Sequence, residues 1–203
     1  MSKTIGIDTA LRELELLSPT GYFVGLHIRF AAPLITYQTY SQEWNDHYTE
    51  NAFALRDPMI AWGFSVEGST RWSEIEIPDT FNIFGQAAEH GMKYGASVSV
   101  GPIKSRTIAG ATRADREFTD SEIATISRMV HILHRETEPP ESLTDAQREA
   151  LQLIADGHRH AAAAAKLGIS ESALKARLTS ARNRLLARTT AEAIQRAKDY
   201  RLL

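Results

Sequence analysis

The stretch Glu136-Thr-Glu-Pro-Pro-Glu-Ser142 constrains this chain more than any other. Two adjacent prolines remove two backbone donors, fix two φ angles and push the residue before them out of helical geometry. Upstream, Thr119-Asp-Ser-Glu122 is a capping box, and Ile123, Ile126, Met129, Val130 and Leu133 recur behind it at helical spacing. The helix they predict closes one domain, and a second must begin beyond Ser142. Charge divides at the same place: residues 1 to 142 hold 12 Lys and Arg against 19 Asp and Glu, whereas residues 143 to 203 hold 11 against 6. An acidic module is joined to a basic one, with boundaries at 1–136, a linker at 137–142 and a second domain at 143–203.

At 203 residues the chain is long enough for two buried cores. It contains no cysteine, which excludes disulfides, Cys-ligated zinc and thiol catalysis and fits a reducing cytoplasm. No apolar run approaches the ~20 residues that span a bilayer, and the first residues lack a secretory apolar segment. The expectation is a soluble cytoplasmic protein without membrane contact.

In the basic half, Leu167-Gly-Ile-Ser-Glu-Ser-Ala-Leu-Lys-Ala-Arg-Leu178 reads as a helix-turn-helix. An Ala-rich helix stops at Gly168, where a left-handed turn is cheap, and Ser170 offers a hydroxyl as N-cap of the next helix. Along that second helix Leu174, Leu178, Ala181 and Leu185 share one face, while Ser172, Lys175, Ala176, Thr179 and Asn183 lie opposite. Small and polar groups flanked by Arg177, Arg182 and Arg184 suit a helix in a major groove, because bulky side chains would hold it off the base edges. The candidate DNA-contacting residues are Ser172, Lys175, Ala176, Thr179 and Arg182. The same pattern is also met by an ordinary αα-hairpin with solvated arginines. From Leu143-Thr144 through Gly157, Leu167, Ile169-Ser170 and Leu174-Lys175 to Leu185 and Ala193, the segment resembles the four-helix DNA-binding domain of LuxR-type regulators. The resemblance implies a small all-α fold and double-stranded DNA as partner.

The acidic half reads as alternating elements. Ile7, Ala10, Leu11, Leu14 and Leu17 predict a helix over 7–17; residues 22–30 and 34–38 alternate as a hairpin around Pro33; Ser41 caps a helix carrying Trp44 and Tyr48. Asp57-Pro58 starts a short helix, Arg71-Trp72 sits in a short strand, and Pro78-Asp79 opens a helix ending at Gly91. Strands follow at 94–100 and 107–114. This order predicts an α+β domain, an antiparallel sheet with helices on both faces.

One constellation in that half carries chemistry. If the segment is helical throughout, Tyr40, Trp44 and Tyr48 share a face, with Asp57-Pro58 and Trp72 close behind. Read by themselves these rings are core and Asp57 is a helix cap. Yet an indole N–H, two phenols and a carboxylate all need partners when buried, and a bound polar ligand could supply them. Here the chain resembles the autoinducer-binding domain of the LuxR family, whose Tyr, Trp, Tyr, Asp-Pro and later Trp are met at Tyr40, Trp44, Tyr48, Asp57-Pro58 and Trp72. Gly95 fits the family's glycine before the central strand. The resemblance implies an N-acyl homoserine lactone as ligand and action as a homodimer. By it, Asp57 accepts from the amide N–H, Trp44 donates to the lactone carbonyl and Tyr40 to the amide carbonyl. Trp72 walls the ring, Tyr48 lines the acyl path, and Thr112 assists at the amide carbonyl. Such a site orients a polar head while apolar groups take the tail.

His131 and His134 lie three residues apart, but with no third ligand nearby they read as a solvated helix edge. His158-Arg-His160 reads as a basic turn. No nucleophile, base and orienter can be assembled and no phosphate-cradling loop is present, so the chain is read as a non-enzyme with no cofactor and no metal. Three rivals remain: a LuxR-type solo regulator for another small molecule, a regulator acting without ligand, and an enzyme acting on acyl lactones.

Overall fold

The computed structural model describes residues 2–28, 32–140 and 142–203, and the chain divides into two compact units, Met1–Thr137 and Glu138–Leu203. The first unit runs α1 (Ser2–Leu17), β1 (Tyr22–Ile28), β2 (Ile35–Gln38), α2 (Gln42–Glu50), α3 (Pro58–Ser65), β3 (Gly68–Arg71), α4 (Ile83–Glu89), β4 (Tyr94–Val100), β5 (Arg106–Arg113) and α5 (Asp120–Glu136). Its five strands form an antiparallel sheet in the order β2-β1-β5-β4-β3.

The sheet has two unlike faces. Tyr22, Val24, Leu26, Ala96, Val98, Val100, Ala109 and Ala111 point to one, where Ala10 and Leu14 of α1 and Ile126, Val130 and Leu133 of α5 complete a dry core with Phe118. The opposite face carries Gly95, Ser97, Ser99, Ile108, Gly110 and Thr112, under α2, α3 and α4. Where β1 pairs with β5 the register shifts between Gly25 and Ile28, and His27 there adopts φ +51°. One extra residue in a strand turns the next side chain over. Ile28 therefore joins Met59 and Ile108 on the second face, leaving the face of Val24 and Leu26.

Local chemistry explains most element ends. Ser41 accepts from the Trp44 N–H and Asp57 from the Met59 N–H, with Pro58 at the first helical position. Thr119 and Glu122 form the reciprocal capping box of α5. Several expectations change. α1 begins at Ser2, well before Ile7. Tyr40 precedes the cap of α2 and is not helical, so it does not continue the face of Trp44 and Tyr48. Trp72 leaves β3 and opens a single 3-10 turn. The fourth helix starts at Ile83, not at Pro78-Asp79, because Asn82 takes a left-handed conformation; the Asp79 carboxylate nevertheless reaches the N–H groups of Ile83 and Phe84, both at 2.8 Å. Strand β1 is described to Ile28, and the rest of the 22–30 expectation lies outside the described residues.

His134 is also corrected. It does not lie on a solvated edge: its ring centroid is 4.4 Å from that of fully buried His27, and its Nδ1 is 2.8 Å from Thr107 Oγ1. The packing of α5 against β1 and β5 sets this, which an i, i+3 spacing alone does not encode. His131 is exposed and bonds Ser127 of its own helix.

The second unit contains α6 (Asp145–Ala155), α7 (His160–Leu167), α8 (Glu171–Arg184) and α9 (Thr190–Asp199). Ala150, Leu151, Ala163, Leu174, Leu178, Ala181, Leu185, Ala193 and Ala197 form its core. Small residues at these crossings let the helices approach closely. Thr144 and Gln147 cap α6 reciprocally, and the Gln147 amide also donates to Ser180 Oγ at 2.9 Å, tying α6 to α8. Gly168, at φ +64°, ends α7, and Ser170 caps α8. The buried guanidinium of Arg196 donates to the carbonyls of Leu185 and Leu186, closing the turn before α9.

Candidate functional site

Between α2, α3, α4 and the second face of the sheet lies a cavity of about 310 Å³. Tyr40, Trp44, Tyr48, Asp57 and Trp72 all line it, so residues spread over 33 positions of sequence meet on one wall. Trp44 is only 5% exposed and packs in a cluster with Phe53, Ile83, Ala87 and Met92. Tyr48 stands one helical turn further, its ring 5.7 Å from that of Trp44. Phe23, Met59, Ile60 and Phe84 add apolar wall, while exposed Gln38, Thr49 and Ala54 line the mouth.

Asp57 is the polar centre. Its Oδ1 accepts from the Met59 N–H at 2.7 Å and its Oδ2 from the Tyr48 hydroxyl at 2.8 Å. Burial raises its pKa to about 6, against the downward pull of those two donors, with the Asp79 carboxylate adding a smaller upward push. The same burial, with the Asp57 charge second, drives both the Tyr40 and Tyr48 phenols upward, so each stays a neutral hydroxyl. Tyr40 donates to the Gly110 carbonyl at 3.2 Å. Thr112 is placed differently from the other five. It is fully buried behind the wall, donating to the Gly21 carbonyl and accepting from Thr20 Oγ1, each at 2.9 Å. Donation to a ligand carbonyl would require it to leave Gly21.

Two glycines make the cavity possible. A Cβ on Gly95 would lie 2.1 Å from Trp72 Cδ2, and one on Gly110 would lie 2.7 Å from Met59 Sδ and 3.4 Å from the Tyr40 hydroxyl. Trp72 is pressed onto Gly95 on one side and stacks on Phe84 on the other, with centroids 4.7 Å apart and planes 18° apart. The sequence points to the aromatic and carboxylate residues and, through the family resemblance, to Gly95, but not to Gly110, Phe23 or Met59. The signal available for the floor was the pairing of Ser97 with Gly110 and of Gly95 with Thr112, which only a sheet register supplies.

In the second unit, Ser172, Lys175, Ala176 and Thr179 are exposed along α8, on the side opposite its buried Leu174 and Leu178. Arg182 is half-buried and donates to Thr179 Oγ1 at 3.1 Å. Arg184 is drawn away to the Ser142 carbonyl. The exposed strip therefore presents one ammonium, several small groups and a hydroxyl held by a neighbouring guanidinium.

The family model described as "Autoinducer binding domain" matches residues 22–137, and that for "Sigma-70, region 4" matches residues 141–185. The chain belongs to the autoinducer-binding family of LuxR-type regulators. Among solved structures, SdiA of Escherichia coli is similar over 96% of this chain and 89% of that one, at 19% identity and a TM-score of 0.51. SdiA in complex with octanoyl-rac-glycerol is similar over 96% and 88%, at 18% identity and 0.53. These likenesses are of fold. No curated protein sequence matches the chain. In LuxR-type regulators an autoinducer-binding domain precedes a helix-turn-helix, so this protein is a ligand-binding transcription regulator and not an enzyme. No helix among the described residues is long and apolar enough to cross a membrane.

Proposed function

We propose that the ligand is an N-acyl homoserine lactone and that its binding shifts the population of cytoplasmic homodimers able to hold a two-fold symmetric operator. Asp57 accepts the amide N–H, Tyr40 donates to the amide carbonyl and Trp44 to the lactone carbonyl. Trp72 flanks the ring and Tyr48 the start of the acyl path. The observation that carries this reading is Asp57, an acceptor-only carboxylate 6% exposed on the wall of an aromatic cavity. A carboxylate kept there at the cost of desolvation is suited to a ligand that brings a donor.

Thermal melts with a panel of lactones of different tail length test the reading. At a hundredfold excess over Kd the protein gains about 2.7 kcal/mol and melts several degrees higher. Asp57→Ala leaves the ligand N–H without an acceptor and weakens binding about ten- to hundredfold. If no lactone shifts the wild type, the ligand is another molecule. One specific alternative keeps the cavity and changes the head, since SdiA, a fold relative, has been seen with octanoyl-rac-glycerol, and a monoacylglycerol therefore belongs in the panel. Sedimentation with and without ligand reads the homodimer. On the DNA side, Lys175→Ala should weaken binding to every sequence and lower the salt slope by about one. An unchanged slope removes this face of α8 from the interface.

A further inference from the structure

Two polar groups on the sheet side of the cavity, one on Trp72 of its wall and one on Ser97 beneath that wall, play no part in the reading above. Ser97 Oγ and Trp72 Nε1 are both buried, and neither has a hydrogen-bond partner among the described residues. Ser97 is 0% exposed. They belong to one place. Gly95, Ser97 and Ser99 alternate onto the same face of β4, Trp72 lies against Gly95, and Ser99 Oγ donates to the Gly63 carbonyl of α3 at 2.6 Å. Ser97 is thus about 7 Å along the strand from the glycine under the indole. Its cross-strand partner is Gly110, whose carbonyl holds Tyr40 and over which Met59 leans. Gly95, Ser97, Gly110 and Thr112 form a two-by-two patch with no side chain larger than a hydroxyl or a threonine.

Orphaned buried donors are rare, and each costs a folded protein stability. The indole is donor-only, and its stacking on Phe84 and close fit to Gly95 prevent it from turning to seek water. A serine hydroxyl donates as readily as it accepts, so the group complementary to this pair is an acceptor oxygen. We infer that Ser97 and Trp72 form a second polar contact point of the cavity, taking an acceptor oxygen that the ligand carries within a few bonds of its amide. This rests on the acyl-amide reading: with the amide carbonyl on Tyr40 beside Gly110, the neighbouring atoms of the ligand reach the patch. The oxygen comes either from the third carbon of the acyl chain or from the head ring, and the geometry serves both. Met59, long and flexible, is the side chain that yields to admit it.

Three probes separate these sources: N-octanoyl homoserine lactone, N-(3-oxo-octanoyl) homoserine lactone, and N-octanoyl cyclopentylamine, whose head has no oxygen. All keep the amide that Asp57 and Tyr40 meet. Affinities are measured by calorimetry for wild type, Ser97→Ala and Trp72→Phe. Ser97→Ala should lose about five- to tenfold for an oxygen-bearing probe and nothing for the cyclopentylamide, whereas Trp72→Phe, which also trims the wall beside the head ring, should lose more for the oxygen-bearing probe than for the cyclopentylamide. A loss confined to the 3-oxo compound places the oxygen on the chain, and a loss shared by both lactones places it on the ring. Ser97→Ala, nearly isosteric, should melt no lower than wild type without ligand, because it deletes an unpaired hydroxyl. Equal loss for all three probes, loss for none, or an unliganded Ser97→Ala that melts clearly lower, as when the hydroxyl serves a structural water, overturns the inference. If wild type binds none of the probes, this inference and the acyl-lactone reading fall together. If binding depends on Asp57 while the variants discriminate nothing, this inference falls alone.

Discussion

The two faces of the sheet are drawn from the same strands and do opposite things. Along β4, Ala96, Val98 and Val100 face α1 and α5 and are all but inaccessible, whereas Gly95, Ser97 and Ser99 face the other way, beneath the Trp72 and Met59 side chains that line the cavity and the α3 backbone that Ser99 bonds. Along β5 the alternation is Ala109 and Ala111 against Ile108 and Gly110. Because side chains alternate with a period of two, one strand can be full on one side and hollow on the other without compromise in its ladder. Stability is concentrated on the packed face and ligand chemistry on the hollow one, and substitutions should sort accordingly.

The largest expected effect is on the packed face. Phe118 is 1% exposed in the core that α5 seals, and Phe118→Ala should cost about 3–5 kcal/mol, read as a lowered urea midpoint at unchanged slope. A loss below about 1 kcal/mol would mean that this face is not where stability resides.

Next comes Asp57. Its folded pKa, about 6, lies above its ordinary value of 3.8. Between those values the folded chain holds a proton that the unfolded chain has released. The stability it contributes is fully present below about pH 4 and is lost as pH rises through 6, on the order of 3 kcal/mol in all. Asp57→Asn should be flatter than wild type across that window in urea unfolding. Ligand affinity should run the other way, rising through pH 6 as the carboxylate ionises to accept the amide N–H. Parallel pH profiles for the two proteins would break the assignment of the charge to the hollow face.

Gly95→Ala is the smaller and more selective change. The added carbon meets Trp72 2.1 Å away, so the indole must shift, at about 1–3 kcal/mol and with loss of most ligand affinity. Ala96→Gly, one residue along and on the packed face, should lower stability by about 1 kcal/mol and leave affinity unchanged. Similar binding by both variants would mean that the two faces are not separable.

What could be read beforehand follows from how local each signal is. Asp57-Pro58 and Thr119 through Glu122 act within a few residues, and their caps stand as expected. The antiparallel sheet follows from alternation. A spacing of four puts Tyr40 on a helix face; its partner, the Gly110 carbonyl, lies 70 residues on and leaves no trace in spacing. The late start of α4 depends on Asn82 accepting a left-handed conformation, which Asn tolerates but does not announce. The i, i+3 spacing on α5 carries no sign of the neighbours that bury the His134 ring, and His27 reaches it only through a bulge. Phe23 and Met59 are indistinguishable in sequence from core residues, since a cavity wall is apolar for the same reason a core is.

The bare floor also sets the direction in which this protein can diversify. At Gly95 and Gly110 any heavier side chain meets an indole or a thioether at once, so neither position offers a graded series of neighbouring variants. The roof does, because Ile60, Ile83 and Ala87 stand on helices and can exchange one aliphatic shape for another while α2–α4 adjust. Inheritance of new ligand preferences thus runs through one wall. The sheet remains a fixed template, and the helices above it hold the accessible mutational paths.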